Sequence, residues 1–300
     1  MRNLGLSGRP AGRTDSDDFS RSSHERPRLN APLIETLGSR RLRTACWNRH
    51  LIGTATPLLI FNGVGMNLEV LEPMVREIRD RPVLTLDMPG IGGSPDPTIP
   101  YTPQMAASWG TKLLARHNME RADVMGFSWG GAIAQQFAIQ YPRHVGRLVL
   151  AAIGPGLPIL PGQATYHFHL MDPIWNGQTV ESNLLGAISA SDRKVVMEDL
   201  LARLTPPSST GYFYQILALS GWASALALPL VNKDTLIVMG DEDHIIPLVN
   251  GRWLSALISS SRVAVINGGG HLFMFSHIAE VMSHLRPFLE MDGQVHQGAA

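Results

Sequence analysis

Ser128 stands in Gly126-Phe127-Ser128-Trp129-Gly130, a serine with a glycine two residues away on either side. A hydroxyl is inert at its ordinary pKa and attacks a carbonyl only when a base takes its proton. Two later stretches offer the partners. Gly240-Asp241-Glu242-Asp243 holds three carboxylates, and Asn267-Gly268-Gly269-Gly270-His271 ends in an imidazole. Serine, then acid, then histidine, each after its own strand, is one chain order that supports acyl transfer. Of the 11 histidines, His271 is singled out by the three glycines that let its loop bend back. His244 reads as a loop residue, and His167 and His169 as candidates for substrate contact. Asp243 is the preferred acid because it lies three residues past the strand-ending glycine, far enough to turn toward His271. Asp241 is second and Glu242 third.

The elements around Ser128 must hold it on a tight turn so that Oγ projects from a sheet edge. "ADVMG" before it reads as a strand and "GGAIAQQFAIQY" after it as a helix. Gly126 and Gly130 remove side chains that would collide at such an elbow. The helix start leaves backbone N–H groups free beside the serine, so the Trp129 N–H is expected as one oxyanion donor. A second is expected from the loop after "LLIF": Asn62-Gly63 turns the chain, and the Val64 N–H faces the reacting carbonyl.

The rest of the chain repeats this rhythm. "TPLLIFNG", "RPVLTLDMPG", "ADVMGFSWGG", "RLVLAAIGPG", "DTLIVMGDED" and "VAVINGGGHL" are apolar on consecutive residues and end in turn residues. Strands buried on both faces of a parallel sheet read this way. Helical patterns alternate with them, which predicts an α/β fold, a mostly parallel sheet with helices on both faces. "LIETLGSRRLRTACWN" is expected to add an antiparallel hairpin at one edge. The rhythm breaks between about Gly154 and Leu230, where Pro, Met, His and aromatics collect. We expect an inserted helical lid over 154–231, between core segments 32–153 and 232–291. Residues 1–31 read as a disordered polar tail and 292–300 as a C-terminal tail. The aromatic-rich lid points to an apolar ligand, with Trp175, Tyr214 and Trp222, and Asn62 from the core, as candidate substrate contacts. The indole of Trp129 is a candidate pocket wall.

Composition excludes several classes. Lys plus Arg and Asp plus Glu both total 25, so no charge excess points to nucleic acid or an anionic membrane. The longest apolar stretch falls short of a membrane helix, and the expected location is the cytoplasm. The single cysteine, Cys46, reads as a buried structural thiol. The Gly-rich "DMPGIGGSPDP" lacks the residues of a phosphate or dinucleotide loop and is expected to line the site mouth. No Cys/His or H-E-x-x-H pattern suggests a metal.

Taken together, "PLLIFNGVGMNLEVLEP", "DMPGIGGS", "GFSWGGAIAQQFAIQYP", "GYFYQILALSGW", "GDEDHIIPLVNGRWL" and "GGGHLFMF" resemble the α/β-hydrolase superfamily over about residues 32–290. More narrowly they resemble the intracellular medium-chain-length poly(3-hydroxyalkanoate) depolymerases. The resemblance implies Ser128 as nucleophile, Asp243 as acid and His271 as base. It implies hydrolysis of a polyester to 3-hydroxyacids without a cofactor. The expected partner is an apolar ester or polyester substrate, with a polymer granule surface as a further candidate. Other expectations stay open: a small-molecule esterase or thioesterase, a cofactor-free haloperoxidase, a carbon–carbon bond hydrolase, or a non-enzymatic granule-binding protein.

Overall fold

The computed structural model describes residues 31–156 and 199–290. Expectations for 1–30, 157–198 and 291–300 lie outside the described residues; they cover both tails, much of the lid, His167, His169 and Trp175. Strands β1 (Leu33–Leu37), β2 (Arg40–Trp47), β3 (Leu58–Phe61), β4 (Val83–Leu86), β5 (Ala122–Phe127), β6 (Val145–Ala151), β7 (Thr235–Gly240) and β8 (Ser261–Ile266) form one sheet. Its order is β1-β2-β4-β3-β5-β6-β7-β8. The hairpin β1–β2 is antiparallel, β2 runs antiparallel to β4, and the strands from β4 to β8 are parallel.

Every residue of β3, β4, β5 and β7 is buried. Successive side chains point to opposite faces, so a consecutive apolar run feeds two cores at once. On one face Leu59, Phe61, Val124 and Leu150 join α2 (Pro103–Arg116), α3 (Trp129–Gln140) and, further along the sheet, α5 (Leu248–Leu257). On the other, Ile60, Met125, Phe127 and Val149 join α1 (Glu72–Val75), α6 (Phe273–Ser276) and α7 (Ile278–Glu290). The start of α2 is set locally: Thr102 accepts the Met105 N–H and Pro103 occupies the first turn. Cys46 is buried in β2, and burial pushes its thiol up to about 11, which keeps it protonated at neutral pH.

The segment between β6 and β7 leaves and rejoins the sheet at neighbouring strands. Its stems meet where Gly156 pairs with Ala223. Both are tied to α3: Gln135 Nε2 donates to Gly154 O at 3.1 Å, and Ser224 Oγ donates to Gln135 Oε1 at 2.6 Å. Within this segment lies α4 (Ser209–Leu219), capped by Ser208 Oγ, which accepts the Gly211 N–H at 2.9 Å. It buries Gly211, Tyr212, Gln215 and Ala218, the three-to-four spacing of one helix face. Its seat is the loop after β4, where a Cβ on Gly90 would come within 2.6 Å of Gly211 Cα. The "DMPGIGGS" loop thus supports α4 by backbone-to-backbone contact. Among the described residues no helix is long and apolar enough to cross a membrane.

Candidate active site

Ser128 sits between β5 and α3 with φ 49° and ψ −120°. An L-residue is strained there by about 1–3 kcal/mol. The neighbouring packing explains why the turn persists. Phe127, buried at 1% exposure, contributes roughly 1.5–3 kcal/mol by burial, comparable with the strain. The glycines are required by close approach: a Cβ on Gly126 would lie 2.3 Å from Gly130 O, and one on Gly130 2.0 Å from Phe61 O. Both obstacles are backbone and cannot move aside.

The loops after β7 and β8 bring Asp243 and His271 to the same carboxyl edge of the sheet, where open α/β sheets bind ligands. Ser128 Oγ lies 2.9 Å from His271 Nε2, and His271 Nδ1 lies 2.8 Å from Asp243 Oδ2. Asp243 is 3% exposed and His271 8%. The other carboxylate oxygen, Asp243 Oδ1, accepts the N–H groups of Ile245 and Ile246 at 2.9 and 2.8 Å. That double acceptance fixes the carboxylate's orientation. An ionised carboxylate only accepts, so the network assigns the imidazole proton to Nδ1 and leaves the Nε2 lone pair facing Ser128. Phe127 packs against the imidazole at 5.7 Å between ring centres, and Phe275 meets Phe127 edge-on at 5.4 Å.

The three acids separate by contact. Asp241 Oδ1 accepts the Gly268 N–H at 2.7 Å, so it braces the loop that carries His271. Glu242 donates its backbone N–H to Gly269 O at 3.0 Å, and its side chain is exposed. A Cβ on Gly240 would stand 2.1 Å from Gly269 O, so glycine is what lets the acid and histidine loops touch.

The loop after β3 lies beside the elbow. Gly63 O accepts the Met66 N–H at 3.3 Å. Asn62 turns its amide into this loop, with Oδ1 on the Gly63 N–H at 2.9 Å and Nδ2 on Asn67 O at 2.9 Å. Its polar atoms therefore hold the turn, which differs from the substrate contact expected of them. Neither the Val64 N–H nor the Trp129 N–H donates to a protein atom among the described residues. A hydroxyl hydrogen-bonded to a correctly oriented imidazole can attack a carbonyl, and N–H groups left without a protein acceptor are suited to bind the resulting oxyanion.

Other candidate contacts lie elsewhere. Trp222, 7% exposed, donates from Nε1 to Gln136 Oε1 at 3.3 Å and packs at the stems of the inserted segment. Tyr214 is half-buried against the cluster that contains Trp129 and Ile153. The Trp129 indole is buried, and its Nε1 donates to Gln215 O at 2.7 Å. It holds α4 where a pocket wall was expected. Gln215 and Asn67, both buried and polar, were not among the expected site residues. Gln215 interrupts the buried face of α4, and a lone polar residue on such a face is a signal the sequence did contain. Asn67 has none: its amide is spent on Glu69, Arg203 O and the Thr205 N–H.

The β3 loop is further braced by Asp87, just past β4. Its Oδ1 accepts the Leu68 N–H at 2.7 Å, and Oδ2 lies 3.0 Å from Arg43 Nη1. Burial pushes the Asp87 carboxyl up to about 6 despite the pull of Arg43, whose charge is held first by Glu69. The folded-state pKa therefore lies above the unfolded one. Between about pH 4 and 6 the native state keeps a proton that the unfolded state has released, so stability falls as pH rises through that window. Chemical denaturation of wild type and Asp87→Asn across pH 4 to 8 checks this. We expect wild type to lose up to about 3 kcal/mol relative to the variant as pH rises to about 6, with a constant gap above.

The sequence of residues 56–278 matches the model of the alpha/beta hydrolase fold family. The chain is similar to a poly(3-hydroxyalkanoate) depolymerase of Ectopseudomonas oleovorans, 34% identical over 245 residues, covering 80% of this chain and 86% of that protein. It is 30% identical over 263 residues to a 2-hydroxymuconate semialdehyde hydrolase of Pseudomonas sp. (strain CF600), covering 81% and 89%. Among solved structures, an enol-lactonase from Burkholderia xenovorans LB400 superposes with a TM-score of 0.76 at 19% identity, covering 86% of this chain and 99% of that one. The match over most of the chain, together with the strand order that carries Ser128, Asp243 and His271 to one edge, makes this protein a member of the α/β-hydrolase family.

Proposed function

We propose that the protein is a serine hydrolase that cleaves the ester bonds of a poly(3-hydroxyalkanoate), through an acyl-enzyme on Ser128. The observation that carries the chemistry is the hydrogen-bonded line from Ser128 Oγ through His271 to Asp243, at 2.9 and 2.8 Å. Ser128 Oγ bonds to the ester carbonyl carbon while its proton passes to His271 Nε2. Asp243 stabilises the imidazolium, and the Val64 and Trp129 N–H groups bind the oxyanion. As the tetrahedral adduct collapses, the ester C–O bond breaks and His271 returns the proton to the departing alkoxide. Water then attacks the acyl-enzyme with His271 again as base, which releases a 3-hydroxyacid or a shortened chain. Every step is proton or acyl transfer, and no cofactor enters it.

The polyester substrate rests on the likeness to the Ectopseudomonas oleovorans depolymerase and on the motifs shared with that group. On the same likeness we propose that the enzyme acts in the cytoplasm, at the surface of polymer granules. A second reading, carbon–carbon bond hydrolysis on the same side chains, is favoured by the 30% identity to 2-hydroxymuconate semialdehyde hydrolase. Three substrates separate them: p-nitrophenyl esters of graded chain length, a medium-chain polyester latex, and 2-hydroxymuconate semialdehyde. We expect ester turnover that rises toward medium chains, and clearing of the latex. Turnover of the semialdehyde without latex clearing would overturn the polyester assignment in favour of the second reading. Binding to the polymer with no turnover of any substrate would make the protein a granule-binding module.

A further inference from the structure

We propose that Gln215 is a positioning residue for the oxyanion site, which is complete only while α4 is docked on the core. The inference rests on the serine chemistry proposed above.

The Gly63–Val64 peptide carries the proposed Val64 donor. Its carbonyl accepts the Met66 N–H at 3.3 Å. In a planar trans peptide the N–H points opposite to the C=O, so this contact helps aim the Val64 N–H. The peptide before it is held by Asn62 Oδ1 on the Gly63 N–H at 2.9 Å. The peptide after it is held by Gln215 Oε1, which accepts the Gly65 N–H at 2.7 Å. Gly65 has φ 70°, where glycine turns freely, so without an acceptor the Val64–Gly65 peptide is free to rotate. Two of these three restraints are local. Gln215 is 150 residues away, on α4.

The same residue reaches the other donor. Gln215 O accepts from Trp129 Nε1 at 2.7 Å, and Trp129 directly follows Ser128. One residue of α4 therefore touches both segments that carry the proposed oxyanion donors, the β3 loop and the first residue of α3. Gln215 is 1% exposed on a face otherwise made of Gly211, Tyr212 and Ala218. Withdrawing its oxygen leaves the buried Gly65 N–H without an acceptor, a penalty relieved only by moving the loop. Displacing α4 removes both contacts together, so movement of the lid helix is coupled to the site's ability to bind the oxyanion.

Gln215→Met removes the acceptor at nearly constant volume. Steady-state kinetics on a medium-chain p-nitrophenyl ester are compared with inhibition by two ligands of the same acyl length. One is a trifluoromethyl ketone, which adds to Ser128 to form a tetrahedral oxyanion. The other is the corresponding secondary alcohol, which cannot. We expect kcat to fall about 10- to 100-fold with KM within threefold. The ketone's Ki should rise by the factor lost in kcat/KM, while the alcohol's Ki stays unchanged. Ser208→Ala, which removes the cap of the same helix, should lower the melting temperature and leave the ketone's Ki alone. A folded Gln215→Met with unchanged ketone affinity, or with both ligands weakened equally, overturns the proposal. If that variant aggregates, Gln215→Asn, which draws the amide oxygen back by one carbon, is held to the same results. Wild type that hydrolyses esters but ignores the ketone would instead contradict the serine chemistry itself.

Discussion

Ser128→Ala is expected to lower kcat on a medium-chain ester by roughly 10⁵- to 10⁶-fold, with little change in substrate affinity. Alanine keeps the Cβ and so keeps the strained backbone at φ 49°, the contacts of Phe127, and the approach of Gly130 to Phe61. What disappears is the oxygen 2.9 Å from His271 Nε2. Melting temperature should hardly move, which separates lost chemistry from lost fold. Ser128→Gly extends the test. Glycine removes both the hydroxyl and the cost of a side chain at this conformation, so it should be as inactive as alanine and more stable than wild type. A serine kept here at the expense of stability points to function, since packing alone would favour glycine. Residual ester turnover above about 1% of wild type in either variant contradicts the assignment of Ser128 as nucleophile.

The second large effect comes from one atom. Asp243→Asn is expected to lower kcat roughly 10⁴-fold, because the amide can be satisfied only in the orientation that spoils the imidazole. Two N–H groups, of Ile245 and Ile246, converge on Oδ1. An asparagine must present its oxygen to them, since its NH₂ would set donor against donor. The NH₂ then faces His271 Nδ1, which must accept and so loses its proton. Nε2 gains that proton, and the imidazole can no longer take one from Ser128. All the hydrogen bonds survive in this arrangement, so the variant should fold and melt close to wild type. Asp241→Asn should lose less than tenfold, because Asp241 only braces Gly268. Equal losses in the two variants, or retention of more than a tenth of wild-type kcat by Asp243→Asn, would contradict this reading.

Much of the architecture was legible because β3, β4, β5 and β7 bury both faces. The six consecutive apolar runs coincide with β3 to β8, and "LIETLGSRRLRTACWN" with the antiparallel hairpin. Strand order was less accessible. β4 lies outside β3, and no local pattern in "RPVLTLDMPG" encodes its neighbour. At the site, residue types and chain order singled out Ser128 and His271 and ranked Asp243 first of three carboxylates by its place in the loop alone. What separates Asp243 from Asp241 is which oxygen meets which N–H across loops from different strands. Asn62 and Trp129 show the same limit. Read along the chain, Asn62 suggests substrate contact and the Trp129 indole a pocket wall, yet their side-chain N–H groups bond to Asn67 O and Gln215 O. Gln215 was visible as a polar residue on an apolar helix face, but its partner Gly65 is 150 positions away. Long-range pairing of this kind is fixed by the packed fold and leaves no periodic trace in the sequence.

In the chemistry proposed above, Ser128 carries the acyl group. The most direct measurement is mass spectrometry of the protein quenched in acid during turnover of a slowly deacylating p-nitrophenyl ester, followed by proteolytic mapping. One added acyl group is expected, on the peptide that contains Ser128, absent from Ser128→Ala and accumulating in a burst equal to the enzyme concentration. An acyl group found on any other residue, or full ester turnover with Ser128 unmodified throughout, would contradict that chemistry.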